Sequence, residues 1–599
     1  MHDTIDPLAR LRTPSWTMAL RRALFFGLVI STGLALTLTF AAMLARNGFD
    51  ALDWAMIGVY ALLQPWAAVG LWTSVIGLVL MRLSRDPAGL VMPTFRAVKG
   101  DEPILASTAI LMCIRNEEPA RVFRNVDLMI EGLIAGGHGP RFHLYLLSDT
   151  NDPAIARMEE EATEALHAKL ARREGAVALT YRRRLSNEGF KAGNVWDFFE
   201  RHGDAHEFAI TLDADSFMSS EAILRLVRVM QADPKLGILQ SLVVGLPSAS
   251  AFSRVFQFGM RLGMRSWTIG SAWWQGDCGP YWGHNAIIRV APFKAHCRID
   301  PIPGKGVLRG QVLSHDQIEA VLMRRAGYEV RALPIEDGSY EENPPSMIEF
   351  VRRDMRWCQG NLQYVHLLGL PGILPVSRYQ IAFAIWMFVG SPLSALLAVM
   401  IGLRVAGAED PFALFDPALA WVLLLIYVAM FLAPKLATVL DLLLRPDRRR
   451  AFGGGPRMLV SVVIETVFAF ILTPITAMGH TIFMVSLAMG RSIGWKAQNR
   501  DDHAVSWSFA TMALWRHSLA GFVAFGFMAV AWPAALPWML LMIGGLLVAI
   551  PFAVLTAWAP LGRFLVRNGL CMLPEEASPT ETLRKLRVPA IEIGLGVRP

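Results

Sequence analysis

The sequence predicts an α/β domain inserted into a polytopic bundle of membrane helices. Three observations carry this. Hydrophobic residues make up 54% of the 599 positions, and the mean hydropathy of +0.39 lies well above the soluble norm. Apolar runs long enough to cross a bilayer, which takes about 20 residues, stand towards both ends of the chain. Between them, over residues 85–370, no such run occurs, and short β-rich segments alternate with helix-length ones, the order of a largely parallel sheet.

In chain order, a basic N-terminal segment (1–22) precedes two spanning helices within 23–84, read from the apolar runs 23–45 and 54–81. The first run exceeds a signal peptide's apolar core of about 7–15 residues and reads as an anchor. After the soluble insert, runs at 379–404, 417–440, 458–489, 518–535 and 537–558 make a second membrane region (371–562) of five or six crossings, followed by a tail (563–599). Arginine and lysine crowd four places: Arg10 to Arg22, Arg445 to Arg457, Arg491 to Arg500, and Arg563 to Lys585. The positive-inside rule makes all four cytoplasmic, and with them both termini and the insert. For the segments after 440 and after 490 to share a side, 458–489 must enter and return. Its 32 residues would make about 48 Å of helix, so a hairpin turning near Pro474 is expected, with eight crossings in total. The net charge of +7 sits mainly at these flanks, so membrane lipid, not nucleic acid, is the expected partner. Five scattered cysteines exclude a structural zinc or disulfide framework.

Within the insert, strands are expected at 107–113, 142–148, 176–181 and 207–213. Ligands of such sheets sit beyond the carboxyl ends of the strands. Polar residues recur there: Arg115, Asn116 and Glu117, then Asp149, then Asp213 and Asp215. Side chains at i and i+2 of a strand point to one side, so the last two can converge on a divalent cation. Lys191, between Gly189 and Gly193 at a helix start, suits a diphosphate. Asp316 opens a helix and is either its cap or an acid/base group. Arg353, Arg356 and Trp357 project together from a helix whose opposite face is apolar (Met347, Val351, Met355, Cys358, Leu362). Two guanidinium groups and an indole can bind pyrophosphate and stack a sugar, or anchor the helix among lipid headgroups.

Taken in order, "CIRNEEP" (113–119), "LLSDTNDP" (146–153), "NEGFKAGN" (187–194), "TLDADS" (211–216), "GHNAIIR" (283–289), "SHDQIEA" (314–320), "RRDMRWCQGNLQY" (352–364) and "GWKAQNRDD" (494–502) resemble the processive inverting glycosyltransferases that include cellulose synthase. Within that class the chain is similar to the glucans biosynthesis glucosyltransferase H family, synthases of osmoregulated periplasmic glucans. The resemblance implies a GT-A fold in a bacterial inner membrane, with UDP-glucose as donor, a growing glucan as acceptor, magnesium or manganese as cofactor, and a periplasmic glucan-processing partner. It implies that Asn116, Glu117 and Asp149 line a uridine pocket, that Lys191 and Asp213 hold the donor, and that Asp215 binds the metal. Asp316 takes the place of the general base. Gly283, His284 and Asn285 occupy the segment nearest the acceptor, and Arg353, Arg356 and Trp357 the Gln-x-x-Arg-Trp motif. Trp495, Lys496, Asn499 and Arg500 fall in a gating-type loop near 491–516. The chain departs in having Arg353 for Gln and His315 before Asp316, which bears on acceptor geometry. Alternatives are a cellulose-like or other β-glucan synthase and, from a different class, a transporter with a regulatory cytoplasmic domain. The transporter calls for broken helices at the midplane, and only 458–489, with Glu465, Pro474 and His480, offers one.

Overall fold

A computed structural model describes residues 12–406, 408–492 and 503–586. The expected strands form with shifts of at most two residues: β1 Thr108–Ile114, β2 Phe142–Ser148, β3 Ala178–Arg183 and β4 Phe208–Asp213. They continue as β5 Ser216–Met218, β6 Leu236–Ser241, β7 Val244–Gly245, β8 Ala286–Arg289, β9 Glu329–Leu333 and β10 Ser339–Glu341. The main sheet has the order β3-β2-β1-β4-β8-β6-β9, with β8 antiparallel to both neighbours and the other pairings parallel. A small sheet, β5-β10-β7, stands at its edge.

Burial on both faces explains why the strands read as apolar runs rather than alternating ones. In β1, Ile110, Met112 and Ile114 enter one core with helices Pro119–Ala135 and Ser220–Ala232. Ala109 and Leu111 enter the other with Phe190–Arg201 and Asp316–Arg325. Chain order reverses between β1 and β4, and the crevice beyond such a switch point is where open α/β sheets bind ligands.

Among the described residues six helices are long and apolar enough to cross a bilayer: Ser15–Leu44, Ala51–Leu83, Pro375–Ala406, Pro417–Leu443, Gly455–Ala488 and Trp507–Ala531. A pair bent by 59°, Pro533–Leu547 with Ala549–Thr556, makes a seventh candidate. Contacts between their ends decide which of them cross. On the side away from the α/β domain, the Asp416 N–H donates to the Met43 carbonyl (2.9 Å), Arg404 pairs with Asp50 (2.6 Å), and the Trp532 ring stacks on Phe415. On the domain side, Arg12 pairs with Asp233 (2.6 Å), and the C-terminal tail pairs through Glu575 and Glu576 with Arg261 and Arg254 of the amphipathic helix Ala251–Gln275.

The hairpin expected over 458–489 does not form; Gly455–Ala488 is one continuous helix. Both of its ends nevertheless lie on the domain side. Near its start, Ser461 Oγ accepts from the Cys571 N–H of the tail (2.8 Å). Near its end, Phe483 and Leu487 pack with Cys358, Val307 and Leu362 of the domain. If the helix lies along the domain-side leaflet, as its two ends suggest, the other five helices and the bent pair give six crossings in place of the expected eight. Pro474 needs no turn because it packs against Gly545: a Cβ there would sit 2.1 Å from the Ile471 carbonyl oxygen and 2.7 Å from Pro474 Cγ. An even number of crossings returns both described ends of the chain to the domain side. Cysteines placed at Arg450 and at Arg491 should therefore react with an impermeant maleimide from one face of sealed vesicles, and one at Asn47 from the other. Labelling of Arg450 and Arg491 from opposite faces would make Gly455–Ala488 a crossing.

Candidate active site

The loops after β1 and β2 lock into one unit at the switch point. Asn116 adopts φ 58°, a left-handed conformation that asparagine tolerates better than most residues. Its N–H donates to Thr150 Oγ1 (2.9 Å), its Oδ1 accepts from the Asn151 and Asp152 N–H groups (3.1 Å each), and its Nδ2 donates to Asn151 Oδ1 (2.6 Å). The Glu117 carboxylate accepts from the Arg115 N–H and shapes the same turn. Asp149, 4% exposed, receives two parallel bonds from Arg184 (2.8 and 2.7 Å). The same guanidinium donates to the carbonyls of Glu188 and Phe190 (3.0 Å each) and so ties the loop before Lys191 to β2. Nothing in "YRRRL" marks the third arginine, Arg184, as the one that turns inward.

Gly189, at φ 70°, caps the helix that carries Lys191. The Lys191 ammonium pairs with the Asp213 carboxylate and donates to the Gly283 carbonyl (2.9 Å). Burial acts to lower its pKa; attraction to Asp213, with Asp316 adding to it, outweighs that and raises it above the ordinary value. The ammonium therefore stays charged where a diphosphate would need a cation. Asp213 ends the main sheet and Ser216 begins the small one, so Asp213-Ala214-Asp215 is the joint between them. Asp215 is 7% exposed. Beside the joint, His284 Nε2 stands 3.7 Å from Glu341, which pairs in register with Ser216. Among the described residues no group of three or more His, Cys, Asp or Glu side chains forms a metal cage. Magnesium-type ions commonly take one or two carboxylates and complete their shell with phosphates and water. The joint fits a cation of that kind and not a closed structural site.

The segment Gly283-His284-Asn285 divides. Asn285 is fully buried, and its amide donates to Ser339 Oγ (2.9 Å) and the Tyr340 carbonyl (3.2 Å), fastening the two sheets together. Gly283 at φ 79° lets the backbone pass Asp316: a Cβ would lie 3.4 Å from Asp316 Cβ. The neighbouring Trp282 is 37% exposed, and "YWGHN" gives no local sign of which ring faces out. Asp316 is the first residue of its helix, and His315 holds the cap position, so the capping reading of Asp316 falls away. His315 pairs with Glu319 (3.0 Å); burial would lower its pKa, but Glu319 and then Asp316 raise it.

Arg353, Arg356 and Trp357 lie on the helix Met347–Leu362, with the Arg353 guanidinium 4.7 Å from the Trp357 ring centre and the indole 48% exposed. That helix is fastened to the segment leading into Asp316. Gln359 donates to the Val307 carbonyl (3.0 Å), Gln363 to that of Gln311 (2.9 Å), and Tyr364 to that of Ser314 (2.7 Å). Gly360 presses on Ser314, where a Cβ would meet the backbone N at 2.9 Å and Oγ at 2.2 Å. Gly360→Ala must therefore displace the segment carrying Asp316. Because an error of about 1 Å at a reacting group can cost about 100-fold, turnover should fall 10- to 100-fold with nucleotide affinity unchanged, as measured by UDP release and UDP titration. The gating-loop residues Trp495, Lys496, Asn499 and Arg500 lie outside the described residues.

A mixed sheet with acidic residues at its switch point, a half-buried lysine paired with Asp213, and a helix carrying Arg-x-x-Arg-Trp fastened to the segment leading into Asp316 define a membrane-embedded glycosyltransferase of GT-A type. A profile of glycosyl transferase family group 2 matches residues 208–433. Curated relatives called glucans biosynthesis glucosyltransferase H align along most of the chain. The Ralstonia nicotianae protein is 36% identical over 95% of this chain and 67% of its own length. The Pseudomonas aeruginosa protein is 34% identical over 89% and 63%, and that of Xanthomonas campestris pv. campestris 33% identical over 96% and 90%. This chain belongs to the glucans biosynthesis glucosyltransferase H family. It spans about two thirds of the first two relatives and nine tenths of the third. A solved mannosyltransferase from Pyrobaculum calidifontis, in complex with GDP-Man and Mn2+, aligns with 62% of this chain and 99% of its own at 16% identity and a TM-score of 0.35.

Proposed function

We propose that this glycosyltransferase builds the backbone of osmoregulated periplasmic glucans from UDP-glucose at the cytoplasmic face of a bacterial inner membrane and passes the chain outward through its own bundle. The observation that carries the reading is the convergence on Gly283: Lys191, already paired with Asp213, donates to its carbonyl, and Asp316 lies against its Cα. Donor and acceptor groups thus meet across one residue.

Asp316 accepts the proton of an acceptor glucosyl hydroxyl. The hydroxyl oxygen forms a bond to the anomeric carbon from the face opposite UDP, the bond to the diphosphate oxygen breaks, and the configuration inverts. Lys191 stabilises the negative charge on departing UDP. Asp215 would hold a magnesium or manganese ion, whose positive charge offsets the same diphosphate charge. Asn116, Glu117 and the Asp149–Arg184 pair form the wall for the nucleoside. Trp282 and Trp357 offer stacking faces to the acceptor, His284 borders the metal-side joint, and Arg353 and Arg356 add positive charge near the diphosphate. Asn285 acts by holding the two sheets in place.

Positive charge on the domain-side flanks supports the cytoplasmic orientation. The adjacency of the Trp357 helix to the membrane helices supports export. Protein in lipid nanodiscs with UDP-glucose and magnesium should release UDP in step with polymer formation. Linkage analysis of that polymer separates a periplasmic glucan backbone from a cellulose-like product. UDP release that is equally fast from UDP-galactose would remove the donor assignment.

A further inference from the structure

One polar contact of the Met347–Leu362 helix faces away from the crevice. Asp354, between Arg353 and Arg356, turns towards the membrane helices and places Oδ2 2.5 Å from Nε2 of His480. Its side chain is 17% exposed and that of His480 is 12%. The other ring nitrogen of His480 lies 3.1 Å from Ser391 Oγ, and the ring meets Phe388 edge-on at 4.9 Å. Ser391 precedes Pro392 inside the Pro375–Ala406 span, and His480 belongs to the helix lying along the leaflet. Beside His480, Gly479 admits Met355 and Val351 so closely that a Cβ would stand 3.4 and 3.5 Å from them. On another side Asp354 borders a cavity of about 180 Å3, lined also by Phe350, Glu465 and Phe468. Among the described residues, His480 is the hydrogen-bonding partner of this carboxylate. A carboxylate in such surroundings is costly without a partner, so its position follows that of His480.

We propose that Asp354, His480 and Ser391 form a positioning relay that sets Trp357 and the two arginines at a fixed height over Asp316 by tying their helix to the membrane bundle. The relay touches neither donor nor acceptor; it acts through the helix it holds. This rests on the reading of that helix as the acceptor end of the site. With the relay intact, the acceptor hydroxyl is presented to the anomeric carbon in preference to water. With it broken, water replaces the hydroxyl in part of the turnovers, giving free glucose and UDP.

The test compares UDP released with glucose incorporated into polymer in nanodiscs, for His480→Phe, His480→Gln and Trp357→Ala. His480→Phe should raise that ratio roughly tenfold, within the range expected for a misplaced reactant. His480→Gln, which keeps a donor for Asp354, should restore the ratio towards that of the unaltered protein. A merely structural loss lowers UDP release and incorporation together and leaves the ratio alone, which overturns the proposal. If His480→Phe does not insert, Asp354→Leu, which keeps the volume but removes the acceptor, gives the same reading, and an unchanged ratio again overturns it. Normal polymer from Trp357→Ala removes the acceptor reading and the relay with it. Loss of polymer there, with an unchanged ratio in His480→Phe, removes the relay alone.

Discussion

Asp316→Asn lowers glucosyl transfer about 1000-fold while UDP binding and membrane insertion stay as they are. Removing a general base typically costs 100- to 10,000-fold, and among the described residues the next carboxylate on the same helix is already engaged. Glu319, one turn further along the helix, is 8% exposed and paired with His315. The substitution is nearly isosteric, and Asp316 makes no cap that its loss would break, because the cap position belongs to His315. A folding defect therefore gives no alternative explanation. The measurement is single-turnover transfer from radiolabelled UDP-glucose, with UDP titration as the control. Turnover within threefold of the unaltered protein would remove Asp316 from the mechanism.

Asp215→Asn should reduce transfer at least ~100-fold, the scale on which loss of one group stabilising transition-state charge is felt. It should also abolish the dependence of UDP binding on magnesium. Asp213→Asn is expected to act differently. Asp213 is the partner of Lys191, and burial without that partner disfavours the charged ammonium. Its effect should therefore appear in donor affinity even in the absence of metal. The two neighbouring carboxylates are separated by which binding curve each one changes. If both variants lose metal-dependent and metal-free binding alike, the division of labour within Asp213-Ala214-Asp215 is wrong.

Much of this site is legible in the linear chain because strand ends are local features. A strand of β4's composition that stops at Asp213, or of β1's that stops just before Arg115 and Asn116, places its next polar residues at the sheet's edge whatever the rest of the fold does. The same holds for Lys191, which follows a glycine at a helix start. Pairings across long separations are not legible. Arg184 on Asp149 and Gln359 on Val307 depend on how loops 35 and 52 residues apart are brought together. Trp282 and Asn285, three residues apart in one motif, face opposite ways because φ values of 79° and 50° at Gly283 and Asn285 turn the chain between them.

By itself the sequence determined the class of fold, the apolar helices and the positions of the strand ends around which the candidate site residues cluster. Those follow from hydrophobic periodicity and run length, which act over one element at a time. Tertiary structure alone showed that both ends of Gly455–Ala488 touch the domain side, because its path is set by what those ends meet and not by its own composition. It also decided which carboxylate of Asp213-Ala214-Asp215 takes the lysine, and that Asp316 is free of capping duty. Each depends on side chains that the fold brings together from distant parts of the chain, and an apolar helix carries no local mark of whether it crosses the bilayer or lies along it.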